Sequence, residues 1–180
     1  MINILLTGKN GQVGWELQRT LAPLGQVAAV DQQEMDLADP DSIRKIVRKI
    51  RPGLIVNAAS YTAVDKAESY LALAMAINGT APGIMAEEAK RLNATLIHYS
   101  TDYVFDGSKK HPYTEDDTPH PLNNYGRSKL AGEQAIQAVG VPHLILRTSW
   151  VYAARGKNFL LTMLKLARER SAALYPLNSS

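Results

Sequence analysis

The apolar run Ile2 to Leu6 passes directly into Gly8-Lys9-Asn10-Gly11-Gln12-Val13-Gly14, a GxxGxxG spacing at the head of the chain. An amphipathic stretch, Gln12 to Leu21, follows at once. Tight strand–helix turns without a ligand also use glycine, but the position of this one, after a strand and before a helix, strengthens it. Glycine allows the tight reversal and lets phosphate oxygens approach backbone N–H groups, and the helix N-terminus adds a favourable partial charge. Asp31 closes the next apolar run seventeen residues after Gly14, where a carboxylate can accept bonds from a ribose diol and repel a 2′-phosphate. This pattern predicts a dinucleotide site.

The rest of the chain repeats the alternation. Val27 to Val30, Leu54 to Val56, Leu96 to Tyr99 and Leu144 to Leu146 read as buried strands, continuous in apolar character as doubly covered parallel strands are. Between them lie helical patterns over Asp41 to Ile50 and Tyr125 to Val139, and a helical region from Asp65 to Leu92 with an expected break near Asn78 to Gly83. The fold class is therefore α/β, a doubly wound parallel sheet of Rossmann-like type, with ligands at the carboxyl ends of its strands. The dinucleotide-binding domain is expected over 1–155, with 156–180 opening a further portion.

Composition narrows the function classes. The net charge is +3 and no dense Lys/Arg cluster accompanies it, which disfavours nucleic acid as a partner. There is no cysteine, so disulfides and thiolate zinc sites are excluded, as fits a reducing cytoplasm. His98, His111, His120 and His143 lack the i, i+4 spacing of a helical metal pair. The N-terminus has no basic segment ahead of its short apolar run, unlike a signal peptide. Ser69 to Ala86 is uncharged but interrupted by Asn78, Gly79, Thr80, Pro82 and Gly83, which argues against a membrane span. The reading is a soluble cytoplasmic protein.

Tyr125 and Lys129, in "YGRSK", stand at i, i+4 near the start of a helix and share one face. Alone, such a pair is commonplace on a solvated helix. Here the fourth strand ends in Ser100-Thr101-Asp102, which brings hydroxyls to the same edge of the sheet. A phenol with a pKa of about 10 is a poor acid at neutral pH, but a cation about 4 Å away at an effective dielectric near 20 interacts by about 4 kcal/mol, about three pK units before desolvation opposes it. That is the scale general acid catalysis needs.

At these residues the chain resembles the extended short-chain dehydrogenase/reductase superfamily, through the glycine turn, Asn57-Ala58-Ala59, Thr101 and Tyr125-xxx-Lys129. The stretches "YTAVDKAE" (61–68), "STDYVFDG" (100–107), "PLNNYGRSKLAGE" (121–133) and "LRTSWVY" (146–152) resemble the dTDP-4-dehydrorhamnose reductase family. The resemblance implies reduction of the 4-keto group of dTDP-4-dehydro-L-rhamnose with NADPH or NADH. It implies that Tyr125 protonates the substrate oxygen, that Lys129 lowers the tyrosine's pKa and binds the nicotinamide ribose, and that Thr101 hydrogen-bonds the reacting oxygen. Gly8, Gly11, Gln12, Val13 and Gly14 would face the phosphates, Asp31 the adenosine ribose, and Asp36 and Leu37 the adenine edge. Ala58, Ala59, Ser60 and Thr62 would flank the cofactor, and Asp102 and Trp150 the substrate. Glu16 matches a position at which some members hold Mg²⁺ between subunits, which would imply a homodimer, though a helix-surface glutamate is the plainer reading.

The resemblance runs through Gly156 to Ser171 and stops at "AALYPLNSS", whereas the family continues for roughly another 110 residues that complete the sugar-nucleotide pocket. Two rivals remain open. A sugar-nucleotide epimerase or dehydratase shares the superfamily, but the dehydratases carry Asp-Glu after the threonine, and here Thr101 precedes Asp102-Tyr103. A non-catalytic regulatory subunit, of the kind found with methionine adenosyltransferase, would bind the dinucleotide and serve as a partner. Asp31 favours NADH, whereas Lys9 can offset a 2′-phosphate.

Overall fold

The structure, a computed structural model, describes the backbone of residues 1–174 and the side chains of residues 1–169. Five strands, β1 (Ile2–Thr7), β2 (Gly25–Val30), β3 (Leu54–Asn57), β4 (Thr95–Thr101) and β5 (His143–Thr148), form one parallel sheet in the order β2-β1-β3-β4-β5. Every strand predicted from an apolar run is present, extended by one to three residues at its ends. The helices are α1 (Gln12–Leu21), α2 (Pro40–Ile50), α3 (Val64–Ala67), α4 (Leu71–Ala74), α5 (Ala81–Arg91), α6 (Asn124–Val139) and α7 (Phe159–Leu174).

The strands alternate their side chains between two cores. Leu5, Ile55 and Leu96 face one way and pack with Ile43 and Val47 of α2, Met85 of α5 and Ile136 of α6. Ile4, Leu6 and Val56 face the other way, with Leu21 of α1. Each such fully buried aliphatic side chain contributes about 1.5–3 kcal/mol, and a one-residue slip of β1 would exchange the two sets.

The expected break near Asn78 to Gly83 does not occur. From α4 the chain runs through a π-helical turn, Met75–Thr80, straight into α5. Pro82 has no N–H to donate one turn back, and its ring would crowd the Asn78 carbonyl in a regular α-helix; the wider turn absorbs both problems. The Asn78 carbonyl then lies against α6, where a Cβ on Gly132 would stand 2.1 Å from it. The residues that read as helix breakers therefore shape a close helix crossing.

The chain divides into two units, Met1–Ser149 and a second beginning at Trp150, whereas the sequence placed the boundary after residue 155. The second unit contains α7, and residues 175–180 of the expected further portion lie outside those described. Among the described residues no helix is long and apolar enough to cross a membrane.

Candidate active site

The glycine turn sits at the carboxyl end of β1, and its three glycines answer to different constraints. A Cβ on Gly14 would stand 2.1 Å from the Gly8 carbonyl oxygen, and one on Gly8, where φ is +75°, would stand 2.9 Å from the Ala59 nitrogen. The fold itself demands glycine at both. Gly11 is different: its φ of −74° suits any residue, and a Cβ there would meet only the Gly8 carbonyl oxygen at 3.3 Å. Gly11 opens α1, whose first turn carries no acidic side chain, so its partial positive charge is not cancelled locally.

A cleft of about 310 Å³ opens beside this turn. Gly8 and Gly11 border it from the turn, Asp31, Asp36 and Leu37 from the segment after β2, and Ala58, Ala59, Ser60 and Thr62 from the segment after β3. Gln12, Val13 and Gly14 form the first turn of α1 behind Gly11. The Asp31 carboxylate accepts from Asn10 Nδ2 at 2.6 Å and from the Gln33 N–H at 3.0 Å. Burial raises its pKa, but these bonds and Lys9 more than offset that, so the pKa lies below the usual carboxylate value. Lys9 Nζ donates to both oxygens of Glu34 at 2.6 Å and stands 3.8 Å from Asp31. One ammonium is thus shared by two carboxylates where an adenosine ribose would lie. An open-faced glycine at a helix N-terminus with a carboxylate across the cleft fits a dinucleotide.

Tyr125, Lys129 and Thr101 converge at the end of β4. Thr101 Oγ1 accepts the Tyr103 N–H at 3.2 Å and caps the 3₁₀ turn Asp102–Val104. Helix α6 begins hard against that turn: a Cβ on Gly126 would stand 2.3 Å from the Tyr103 carbonyl oxygen. Asn123 Oδ1 accepts the Gly126 N–H at 2.7 Å as the N-cap, and Glu68 Oε1 accepts the Asn124 N–H at 2.8 Å, tying the segment after β3 to the start of α6. The Thr101 hydroxyl donates to Asp102 Oδ1 at 3.2 Å, and Tyr125 lies beside this turn, edge-on to Tyr103 at 5.6 Å. Burial pushes the Tyr125 phenol up, the nearby Thr101 hydroxyl opposes this, and Asp102 and Tyr103 push it further up.

Lys129 is buried and turned to β4, with Nζ donating to the Tyr99 carbonyl at 2.6 Å and lying 3.4 Å from His98 Nε2. Burial pulls it down from 10.5 to about 8, against a smaller upward pull from Glu133. The expected lowering of the tyrosine's pKa by its i, i+4 lysine is not what the geometry shows, because the lysine's contacts are with the strand.

Asp102 borders a second hollow of about 730 Å³ and accepts from Ser149 Oγ at 2.7 Å. In the second unit Trp150 has a φ of +52°, is 74 % exposed and packs edge-on against Phe159, so it is not a core aromatic. Glu16 is paired with Arg19 on the surface of α1. Among the described residues no group of three or more His, Asp or Glu side chains gathers to hold a metal, and one ion-paired carboxylate does not fit Mg²⁺ by itself.

Sequence reasoning missed Asn78. Its Oδ1 accepts the Tyr61 N–H at 2.8 Å, and its Nδ2 donates to the Tyr61 carbonyl at 3.0 Å and to Ser128 Oγ at 3.0 Å. Ser128 in turn donates to the Tyr125 carbonyl at 2.7 Å. One buried amide therefore locks the cofactor-side segment to the helix that carries Tyr125. An amide within an uncharged helical run was the signal available.

A parallel five-stranded sheet in this order, with a glycine turn on β1 and helices between its strands, defines a Rossmann-like α/β fold. Residues 2–174 match the family described as RmlD substrate binding domain, and the chain belongs to that family. It is 55% identical over 169 residues to a dTDP-4-dehydrorhamnose reductase of Burkholderia thailandensis, covering 94% of this chain and 57% of that protein. It is 54% identical over 173 residues to one of Escherichia coli, covering 94% and 58%. The crystal structure of dTDP-4-dehydrorhamnose reductase from Bacillus anthracis in complex with NADP superimposes with a TM-score of 0.89 at 38% identity, covering 94% of this chain and 60% of that one. The chain thus spans less than two thirds of the length of these relatives.

Proposed function

We propose that these residues form the dinucleotide-binding and proton-donating part of a cytoplasmic reductase that converts the 4-keto group of dTDP-4-dehydro-L-rhamnose to the alcohol of dTDP-L-rhamnose. The gathering of Tyr125 and Thr101 at the turn after β4 carries this reading: a proton donor and a second hydroxyl stand at the strand ends, where one carbonyl oxygen can meet both. NADH or NADPH supplies the hydride when bound. Gly8 to Gly14 hold its phosphates, Asp31 its adenosine ribose, Asp36 and Leu37 its adenine edge, and Lys129 its nicotinamide ribose. Tyr125 delivers the proton to the substrate oxygen while Thr101 keeps that oxygen in place. Burial keeps the Tyr125 phenol protonated before reaction, and a cation brought near it would ease release of that proton.

Titrating the 180 residues with NADH and NADPH, followed by cofactor fluorescence, tests the first half; a failure to saturate with either would overturn it. Steady-state assay with authentic 4-keto substrate tests the second half. Because the relatives extend well beyond the matched region, the 180 residues alone are expected to bind cofactor but turn over at least about a thousandfold below the usual 1–10³ per second, the equivalent of about 4 kcal/mol of lost positioning. Turnover in the usual range would show that the sugar-nucleotide pocket is complete within them.

A further inference from the structure

A chain of buried polar groups crosses the sheet beneath the site and ends on Lys129. Thr7 Oγ1 accepts the Ala59 N–H at 3.2 Å, so its own proton is free to be donated, and Asn57 takes it at 2.7 Å. That fixes the Asn57 amide with its oxygen toward Thr7 and its nitrogen toward His98, where Nδ2 donates to Nδ1 at 3.0 Å. With Nδ1 occupied as an acceptor, the neutral ring carries its hydrogen on Nε2, and Nε2 lies 3.4 Å from Lys129 Nζ. Thr7, Asn57, His98 and Lys129 are all 1 % exposed or less, so water does not rearrange these roles.

An N–H aimed at Nζ complements an amine lone pair and opposes an ammonium. We propose that His98 is a positioning residue for Lys129: its tautomer, set from the Ala59 N–H through Thr7 and Asn57, makes the Lys129 ammonium release its proton readily. This rests on the reading of Lys129 as the partner of Tyr125 in the proposed reduction. Burial biases Lys129 the same way, but the other polar groups around it favour the ammonium or carry no charge. From β4 the Tyr99 carbonyl favours the ammonium. On α6 itself Glu133 also favours the ammonium but is occupied by Arg147 and Ser100, and Ser128 of α6 and Asn78, which bonds to it from the π-helical turn, carry no charge. His98 itself stays neutral, because burial first and the Lys129 charge second hold it well below 6.5.

Nuclear magnetic resonance on the labelled chain tests this without turnover. Two-bond ¹H–¹⁵N correlations give the His98 tautomer, and ¹³Cε shifts give the Lys129 titration, assigned by its loss in Lys129→Arg. Wild type is expected to show hydrogen on Nε2. Thr7→Val frees Asn57 to turn over, which should move the ring hydrogen to Nδ1 and raise the Lys129 midpoint by about one pH unit. His98→Gln can present its carbonyl oxygen to Nζ and should raise the midpoint similarly; it decides the matter if Thr7→Val does not fold. A merely structural histidine would leave the titration in place. Hydrogen on Nδ1 in wild type, or a Lys129 midpoint unmoved in whichever variants fold, overturns the proposal. Cofactor titration of the same samples separates the two readings: wild type that binds neither NADH nor NADPH overturns the proposed function and leaves the Lys129 result to stand by itself.

Discussion

Lys129 Nζ is held 2.6 Å from the carbonyl oxygen of Tyr99, so the lysine of α6 is bound to the strand beneath it. Its burial has a thermodynamic signature. Between about 8 and 10.5 the unfolded chain holds the Lys129 proton and the folded chain does not, so unfolding takes up a proton and stability rises with pH. Above 10.0 the raised Tyr99 and Tyr125 reverse the slope, because the unfolded tyrosines ionise first. Urea melts at pH 8 and 10 should show wild type gaining about 2 kcal/mol relative to Lys129→Met. Parallel profiles for the two proteins would show that Lys129 folds fully charged.

Substitutions at Gly11 and Gly14 should separate binding from folding. A Cβ at Gly11 meets only one carbonyl oxygen at 3.3 Å, so the thermal midpoint of Gly11→Val should stay within a few degrees of wild type while cofactor affinity falls at least about tenfold, since the side chain enters the phosphate path. Alanine at Gly14 would place Cβ 2.1 Å from the Gly8 carbonyl oxygen, and a forced backbone shift of this kind costs about 1–3 kcal/mol. Calorimetry paired with fluorescence titration reads both. Equal loss of binding and stability in the two variants would remove the distinction.

Cofactor preference should respond to Glu34, which no sequence argument singled out. While Glu34 grips Lys9, the trio of Lys9, Glu34 and Asp31 carries a net negative charge and repels a 2′-phosphate. Glu34→Gln keeps an oxygen for the Asp31 N–H but frees the ammonium; NADPH affinity should rise about tenfold and NADH affinity stay within about threefold, with the NADPH gain shrinking in salt. Competitive titrations at two ionic strengths check this, and an unchanged NADPH to NADH ratio would place selectivity elsewhere.

The sheet and most helix bounds could be read from the chain because both follow from local pattern: continuous apolar runs for β1 to β5, and helical periodicity for α1, α2 and α6. The site was half legible. Glycine spacing, Asp31 and Tyr125/Lys129 are carried by residue type and short spacing. The partners of Lys129 are not, since whether its ammonium turns to Tyr125 or to the Tyr99 carbonyl depends on how α6 crosses β4. His98 was weighed only as a metal ligand, because its use depends on Asn57 from another strand. At Asn78 the local rule misled: Asn, Gly and Pro disfavour an α-helix, but a π-helical turn packed against Gly132 holds Asn78 and Gly79 and leads into Pro82 in the first turn of α5.

Tyr125→Phe is expected to keep cofactor affinity and to reduce ketone reduction by about 10²–10⁴-fold, the usual contribution of a positioned proton donor. The ring is retained, including its edge-on contact with Tyr103 at 5.6 Å, so loss of fold should not confuse the result. The comparison belongs in a chain extended to the length of the relatives, with circular dichroism alongside. Near-normal turnover by the variant would exclude Tyr125 as the donor.

The sheet order places β1 between β2 and β3. β1 pairs with β2 first, and its other edge has no neighbour until Leu54–Asn57 has left the ribosome. At about 5–20 residues per second, that leaves Ile4, Leu5 and Leu6 half-sheltered for several seconds during translation. A nascent chain stalled before residue 57 should be captured by chaperones that bind exposed aliphatic segments, and one stalled after β4 much less so.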